Sequence, residues 1–322
     1  MMPSPTTPAI SVIVPVGDRQ ADAVELMEDY RVGLQATGQR YELIVVLDGD
    51  RADFARRLEV WRGAGNEFTL IHLSRPFGIS TAIMAGFEQA RGEVVLTLPG
   101  YFQIEGGEIP KLLAGLDKAD LVTGRRWPRA GGFLERLRRN AFHSLIAWVT
   151  GQHYNDLGCH ARAMRRQVLG EISLYGDQHQ FLALLADRQG FRVRETDVRQ
   201  SPKDRFTGRY RNREYAHRIL DMFTIFFLVR FTKKPLRFFG MIGVTLTVVG
   251  GLLLVYLVFD RLVLHHPLAD RPALFLSSLL VVLGLQLFAL GLLGELIIFT
   301  HAREVKDYQV DEVIEFNDAV DR

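Results

Sequence analysis

The sequence predicts an α/β domain with a mostly parallel sheet, joined to a two-helix transmembrane hairpin. Three observations carry this. Short apolar runs alternate with amphipathic segments over the first 125 residues, the pattern of a parallel sheet covered on both faces. Turn-forming Gly, Pro and Asp gather just after each run. Two long apolar stretches, Leu236–Phe259 and Pro272–Phe299, stand near the end of the chain.

The β-branched run Ile10–Pro15 predicts the first strand, followed by a helix around Ala21–Leu34. Tyr41–Leu47 is the second strand, with a helix near Ala52–Arg62 after it. Phe68–Leu73 is the third, then a helix over Ser80–Ala90; Glu93–Leu98 is the fourth and Ala119–Thr123 the fifth. Ligands of such sheets bind beyond the carboxyl ends of the strands. Those ends read Val16-Gly17-Asp18, Asp48-Gly49-Asp50, Arg75-Pro76-Phe77-Gly78 and Pro99-Gly100-Tyr101-Phe102-Gln103. Any one of them alone reads equally well as an ordinary turn. From Phe133 to Val168 the pattern is helical and basic, and a second basic patch covers Lys203–Arg211. Residues Tyr308–Phe316 alternate as a short strand would.

Each apolar stretch exceeds the roughly 20 residues that span a bilayer core, and no charged side chain lies between Phe238 and Phe259. A water-soluble helix needs a polar face, which these lack. The run before them, Arg218–Thr232, is apolar with basic ends and suits a helix lying in the membrane interface. Arg230, Lys233, Lys234, Arg237, Arg303 and Lys306 flank the hairpin outside, against Arg261 and Arg271 in the connection. That bias predicts both ends in the cytoplasm. The start MMPSPTTPA has neither a basic n-region nor an apolar h-region, so the soluble part is expected to stay cytoplasmic. A net charge of +2 gives no global field for nucleic acid. One cysteine, Cys159, rules out a disulfide framework. The expected layout is a cytoplasmic domain over 1–212, an interfacial helix over 213–234, the hairpin within 235–300 and a cytoplasmic tail over 301–322.

ISVIVPVGD, LIVVLDGD, LSRPFGISTAIMAGFEQARGEVVLTL and GEIPKLLAGL occur in that order. Together they resemble family-2 glycosyltransferases. NDLGCHARAMRRQVL, the two C-terminal spans and GLLGELI are similar to the polyprenyl-phosphate branch of that family. This branch includes dolichyl-phosphate mannose synthase-like proteins and aminoarabinose-type undecaprenyl-phosphate transferases. The resemblance implies a GT-A fold, a nucleotide-sugar donor and a polyprenyl phosphate acceptor. It also implies a bacterial inner membrane location, cell-envelope work such as lipopolysaccharide modification, and a homo-oligomer, up to a tetramer. It assigns Pro15, Asp18, Asp48, Arg75, Gly78, Pro99, Tyr101 and Gln103 to the donor, with Asp48 on the nucleotide base. Beside what the resemblance implies, segments expected to face the site offer Arg125, Asp156, Arg162 and Arg205 for catalysis, and Arg138, Arg139 and Arg209 for the acceptor phosphate.

One departure stands out. The family's fourth strand ends in Asp-x-Asp-Leu-Gln, whose aspartates hold the Mg2+ or Mn2+ that bridges the donor diphosphate. Here those positions are Pro99-Gly100-Tyr101-Phe102-Gln103, so no metal ligand is expected there. Asp48-Gly49-Asp50 fits the letter of Asp-x-Asp but ends the second strand. The reaction needs the leaving diphosphate neutralised, and guanidinium groups can do this in a metal's place. The leading expectation is an active transferase in which Arg residues partly replace the metal. The alternative is a degenerate relative that binds nucleotide or lipid phosphate as a scaffold or regulator. A processive polysaccharide synthase is disfavoured, because its Gln-x-x-Arg-Trp motif has no Gln ahead of Arg126-Trp127. Cys159 has no clear base beside it and is expected to be a small buried residue.

Overall fold

The computed structural model describes residues 8–128, 154–174, 176–204, 235–263 and 272–301. Residues 8–204 within these form one compact unit and the last two segments a second.

In the first unit the elements run β1 (Ile10–Val16), α1 (Ala23–Gln35), β2 (Tyr41–Leu47), α2 (Ala52–Gly63), β3 (Thr69–His72), α3 (Ile79–Gln89) and β4 (Val94–Thr97). Then follow α4 (Ile109–Ala114), β5 (Leu121–Arg126), β6 (Arg162–Arg165), α5 (Arg166–Glu171), α6 (Leu182–Arg188) and β7 (Val193–Val198). The strands form one sheet in the order β3-β2-β1-β4-β6-β5-β7. All neighbours are parallel except β6, which is antiparallel to both β4 and β5. The sheet is therefore mixed but mostly parallel.

Every residue of β1 is buried, as a central parallel strand covered on both faces requires. Its side chains alternate. Val12, Val14 and Val16 join Leu26, Met27 and Tyr30 of α1 in the main core. Ile13 faces the other way, onto α3, where Gly86 leaves room for it. Asp22 caps α1, its carboxylate accepting from the Val24 and Glu25 amides at 3.1 and 3.2 Å. The strand order reverses between β1 and β4, and crevices at such points are the usual ligand sites of open α/β sheets.

One expectation is corrected. The stretch 133–168 reads as helical, yet Arg162–Arg165 is a strand. Its residues Arg162, Ala163 and Met164 are buried between β4 and β5, and pairing on both edges overrides the local pattern. β7 had no expectation at all. The expected interfacial helix over 213–234, the tail strand over 308–316 and the boundary at 212 lie outside the described residues.

The second unit holds α7 (Pro235–Val263) and α8 (Pro272–His301). α7 runs past its expected end through Asp260 and Arg261. Both helices are long and apolar enough to cross a membrane, with mean hydropathy 2.4. Only 17% and 11% of their most apolar windows are buried, which is not how the core helix of a soluble protein sits. They pack on each other where side chains vanish. A Cβ on Gly243 would lie 2.6 Å from the Gly284 carbonyl oxygen, and one on Gly250 2.9 Å from that of Ser277. Close backbone approach through small residues is the common way membrane helices associate.

Gly33 of α1 sits against the Gly106 carbonyl, where an added Cβ would strike backbone. Gly33→Ala is expected to cost about 1–3 kcal/mol by overpacking. Gly63→Ala, with nothing within 4 Å of its Cβ, is expected to be neutral or mildly stabilising. Thermal melts of the two variants side by side check this.

Candidate active site

The carboxyl ends of β1, β2 and β4 converge with the loop after β3. At the end of β2, Asp48 is buried and faces that loop. It accepts hydrogen bonds from the Phe77 amide at 2.7 Å and the Gly78 amide at 3.0 Å. Two glycines make the approach possible. Gly49 has φ 80° and Gly78 φ 96°, conformations that L side chains rarely adopt. A Cβ on Gly49 would also lie 2.8 Å from Pro76. Asp48 thus fixes the loop that carries Arg75, whose guanidinium stacks on Phe77 at 4.8 Å. Asp18 is exposed and paired with Arg51 at 2.6 Å.

β4 leads into the Pro99–Gln103 segment, which closes against β1: the Gly100 amide donates to the Pro15 carbonyl at 3.2 Å. The Tyr30 hydroxyl donates to the Pro99 carbonyl at 2.8 Å. Gln103 is 1% exposed, and its amide can point only one way. Its Oε1 accepts from the His160 backbone N–H at 2.7 Å. Its Nε2 therefore donates to the Gly158 carbonyl at 3.0 Å and to the Tyr101 hydroxyl at 3.1 Å. The hydroxyl's acceptor among the described residues is His160 Nδ1, at 3.1 Å. Neutral His160 then carries its proton on Nε2. It stays neutral because burial, His179 and the cations Arg162, Arg126 and Arg19 hold its pKa well below the usual imidazole range. Burial also pushes the Tyr101 phenol up to about 12, against the pull of Arg19 and Arg126.

Cations and carboxylates surround this network. Arg126 and Asp156, both nearly fully buried, form a bidentate pair at 2.7 and 2.8 Å. Burial works against the Arg126 charge, and the hydrogen-bonded Asp156 carboxylate more than offsets it, holding the group above its ordinary value. Asp204 lies 3.8 Å from Arg126 and pairs with Arg19. The Arg19 guanidinium lies over the Tyr101 ring, 3.8 Å from its centroid. Arg162 is 2% exposed and donates to the carbonyls of His179, Leu157 and Gln180. Its Nε has no hydrogen-bond partner among the described residues. Burial brings its pKa down to about 10, so it keeps its charge at neutral pH.

Pro15, Asp48, Pro99, Tyr101 and Gln103 lie at the converging strand ends, with Gly78 beside Asp48. Arg162 lies beneath them rather than on an open face. Asp156 is committed to Arg126. Arg125 points to the other side of β5 and pairs with Asp197 of β7 at 2.7 Å. Arg205, Arg209, Arg138 and Arg139 are outside the described residues. Arg19, Asp204, His160 and His179 were not foreseen as site residues. A basic or imidazole side chain gives no sequence signal of what it stacks on across the fold.

These residues do not fit a divalent ion at the end of β4. Such ions take carboxylate, carbonyl and water oxygens. Pro99 offers no side-chain donor, and the Tyr101 oxygen is engaged by Gln103 and His160. Asp156 and Asp204 are paired with arginines. Asp48 turns to the Phe77 and Gly78 amides, while Asp50 accepts from the Ala52 amide at 3.2 Å. No group of three His, Cys, Asp or Glu side chains among the described residues could hold a metal.

The Glycosyl transferase family 2 model matches residues 11–173. The undecaprenyl-phosphate 4-deoxy-4-formamido-L-arabinose transferase of Proteus mirabilis is 30% identical over 95% of this chain and 94% of its own length. The dodecaprenyl-phosphate galacturonate synthase of Rhizobium johnstonii is 28% identical over 92% of this chain and 89% of its own. Among solved structures, glucosyl-3-phosphoglycerate synthase from Mycobacterium tuberculosis, in complex with Mn2+ and UDP-glucose, superposes with a TM-score of 0.50. It is 18% identical and covers 69% of this chain and 79% of that one. That likeness bears on the fold alone, which is the GT-A fold.

Two outcomes are expected. Cys159 is fully buried and burial pushes its thiol up to about 11. As the sole cysteine, it should react with a thiol reagent at pH 8 only after denaturation. His179 is 5% exposed, and its pKa is lowered to about 3 by burial and Arg162. Between pH 6.5 and 3 the unfolded chain binds this proton and the folded chain does not, so stability falls as pH falls. At pH 5 the loss from this one group is about 2 kcal/mol. The drop in thermal midpoint from pH 7 to pH 5 should shrink in His179→Gln.

Proposed function

We propose that this chain, which belongs to glycosyl transferase family 2, moves a sugar from a nucleotide-sugar donor to a polyprenyl phosphate at a membrane. It is a glycosyltransferase, and its relatives are polyprenyl-phosphate sugar transferases. The single observation that carries the acceptor class is the reach of the likeness. It runs over 95% of the chain and so takes in the two apolar helices as well as the sheet.

In this reading the hairpin keeps the chain at the bilayer that holds the lipid acceptor, with both ends on the cytoplasmic side, as the basic flanks favour. Self-association, up to a tetramer, belongs to the same reading. An oxygen of the acceptor phosphate attacks the anomeric carbon. The bond from that carbon to the diphosphate breaks, and its electron pair leaves with the nucleoside diphosphate. The acceptor is already an anion near neutral pH, so little base catalysis is required. This agrees with a site in which the buried acid beside the network, Asp156, is locked to Arg126 and the His160 imidazole is neutral. The requirements that remain are alignment and neutralisation of the leaving diphosphate. Asp48, with lone pairs to spare beyond two amide hydrogen bonds, can accept a ring N–H of the base. Arginines around Tyr101 supply the positive charge.

The test is transfer in membranes expressing the chain, with undecaprenyl phosphate and a panel of labelled UDP-, GDP- and dTDP-sugars. The expected result is label in the lipid fraction, reduced at least tenfold by Asp48→Ala. No label from any donor, with the Rhizobium johnstonii relative active on its own substrate in the same assay, would sink the catalytic reading.

A further inference from the structure

We infer that the His160 ring presents a fixed Nε2–H to the donor and hydrogen-bonds an oxygen of its β-phosphate, with Tyr101 and Gln103 as the positioning residues that hold the proton on that nitrogen. This rests on the transferase reading above and deepens it by naming a group that touches the donor.

The place comes first. His160 precedes β6, which runs antiparallel to β4. Its backbone carbonyl accepts from Thr97 Oγ1 at 3.3 Å, which sets His160 beside the carboxyl end of β4. That end forms one wall of the crevice where the strand order reverses. Asp48 ends β2, two strands away through β1, a separation of about 10 Å. A nucleotide with its base at Asp48 and its phosphates along the crevice reaches the end of β4 with the β-phosphate.

The hydrogen bonds come next. His160 Nδ1 faces the Tyr101 hydroxyl at 3.1 Å. Gln103 Nε2 donates to the same oxygen at 3.1 Å, and Gln103 Oε1 is taken by the His160 backbone N–H at 2.7 Å. The amide cannot be reversed, so the phenol proton goes to Nδ1 and the ring proton is left to Nε2. A second ring proton would aim both Nδ1–H and the Gln103 amide at one oxygen and strand the phenol proton. Burial, His179 and the cations Arg162, Arg126 and Arg19 act in the same direction, holding the imidazole well below its ordinary pKa.

The other nitrogen is the one available to a ligand. Among the described residues Nε2 has no hydrogen-bond partner, yet in this half-buried side chain it is not sealed off as Arg162 Nε is. An N–H of fixed direction in a crevice wall, with no protein acceptor, is satisfied by an oxygen from outside the chain. The β-phosphate gains charge as the sugar leaves, so a donor already in place there stabilises the transition state more than the bound donor. The neutral ring gives up no proton in doing so.

The experiment uses the full chain in detergent, with Mg2+ present, and titrates UDP, GDP and dTDP, each beside its monophosphate, by calorimetry. Wild type should bind one diphosphate. His160→Phe keeps a ring and removes the N–H. It should weaken that diphosphate about tenfold, the size of one hydrogen bond to a charged group, and the matching monophosphate less than about twofold. His160→Gln, whose amide N–H reaches a similar place, should recover part of the loss. Nitrogen NMR of histidine-labelled wild type, assigned by the signals missing in His160→Gln, should show His160 neutral with its proton on Nε2. That N–H should shift with the diphosphate and not with the monophosphate. In Tyr101→Phe the Nδ1–H tautomer should appear as well, which loss of a merely structural hydroxyl would not produce. A folded His160→Phe that binds the diphosphate normally would overturn the inference, as would a wild-type His160 with its proton on Nδ1 or an Nε2–H that ignores the diphosphate. The spectra of wild type decide the matter even where His160→Phe does not fold. No binding of any nucleotide to wild type would instead remove the transferase reading, and this inference with it.

Discussion

Everything in the site hangs on the Gln103 amide. It is buried, and its donors and acceptor all have partners: His160 N–H on one side, the Gly158 carbonyl and the Tyr101 hydroxyl on the other. A buried amide with unmet groups would cost about 1–3 kcal/mol for each, so the three partners are effectively fixed to one another. This clamps the end of β4 to the segment that leads into β6. It also sets the direction of the hydrogen bonds. Because the Gln103 Nε2 donates to Tyr101, the phenol proton goes to His160 Nδ1, and a neutral His160 keeps its proton on Nε2. One side-chain amide thereby decides the place of an aromatic ring and the tautomer of an imidazole. Networks of this kind rigidify a core when every member is satisfied.

Charge is arranged around that clamp in two layers. Beneath it, Arg126 is tied to Asp156 and Arg162 to three carbonyls, so neither can swing out. At the rim, Arg19 is held by stacking and by Asp204. Their own burial first, and the positive potential of this layer second, keep His160 and His179 unprotonated. Neither histidine adds a charge that would vary near neutral pH. The positive field is therefore constant over the range in which a phosphate acceptor and a diphosphate donor are both anions. Asp48, well away from this cluster along the strand ends, faces amides instead. The two halves of the site suit different parts of one ligand: a carboxylate for N–H donors and guanidinium groups for phosphate oxygens.

The sheet was largely legible because its central strands are buried on both faces. A run such as ISVIVPV or YELIVVL has few other readings. The hairpin was legible for the same reason, being uniformly apolar over more than a bilayer's thickness. β6 was not legible. RAMR carries two arginines and sits in a basic stretch of helical period, and only pairing with β4 and β5 makes it a strand. β7 mixes half-buried and exposed residues at the sheet edge without a clean alternation, and its apolar content is low. Among site residues, those in the strand-end turns were readable from position alone. Arg19, three residues past the end of β1, was not, since its role depends on a ring 82 positions away in sequence. His160 was visible only as a neighbour of Cys159, and its link to Tyr101 and Gln103 is a fact of the fold.

The loss of the aspartate pair follows a physical logic that the fold makes concrete. A mobile dication must be recruited with each donor and leaves two carboxylates repelling each other when it departs. A guanidinium already in place needs neither step, at the expense of a fixed charge that must be stabilised in the empty site. Here Asp204 and the Tyr101 face supply that stabilisation, and they use different parts of Arg19. Tyr101 at this position is thus better understood as the support for a cation than as a filler for vacated space. A side chain that only filled space would not need its hydroxyl held by both Gln103 and His160.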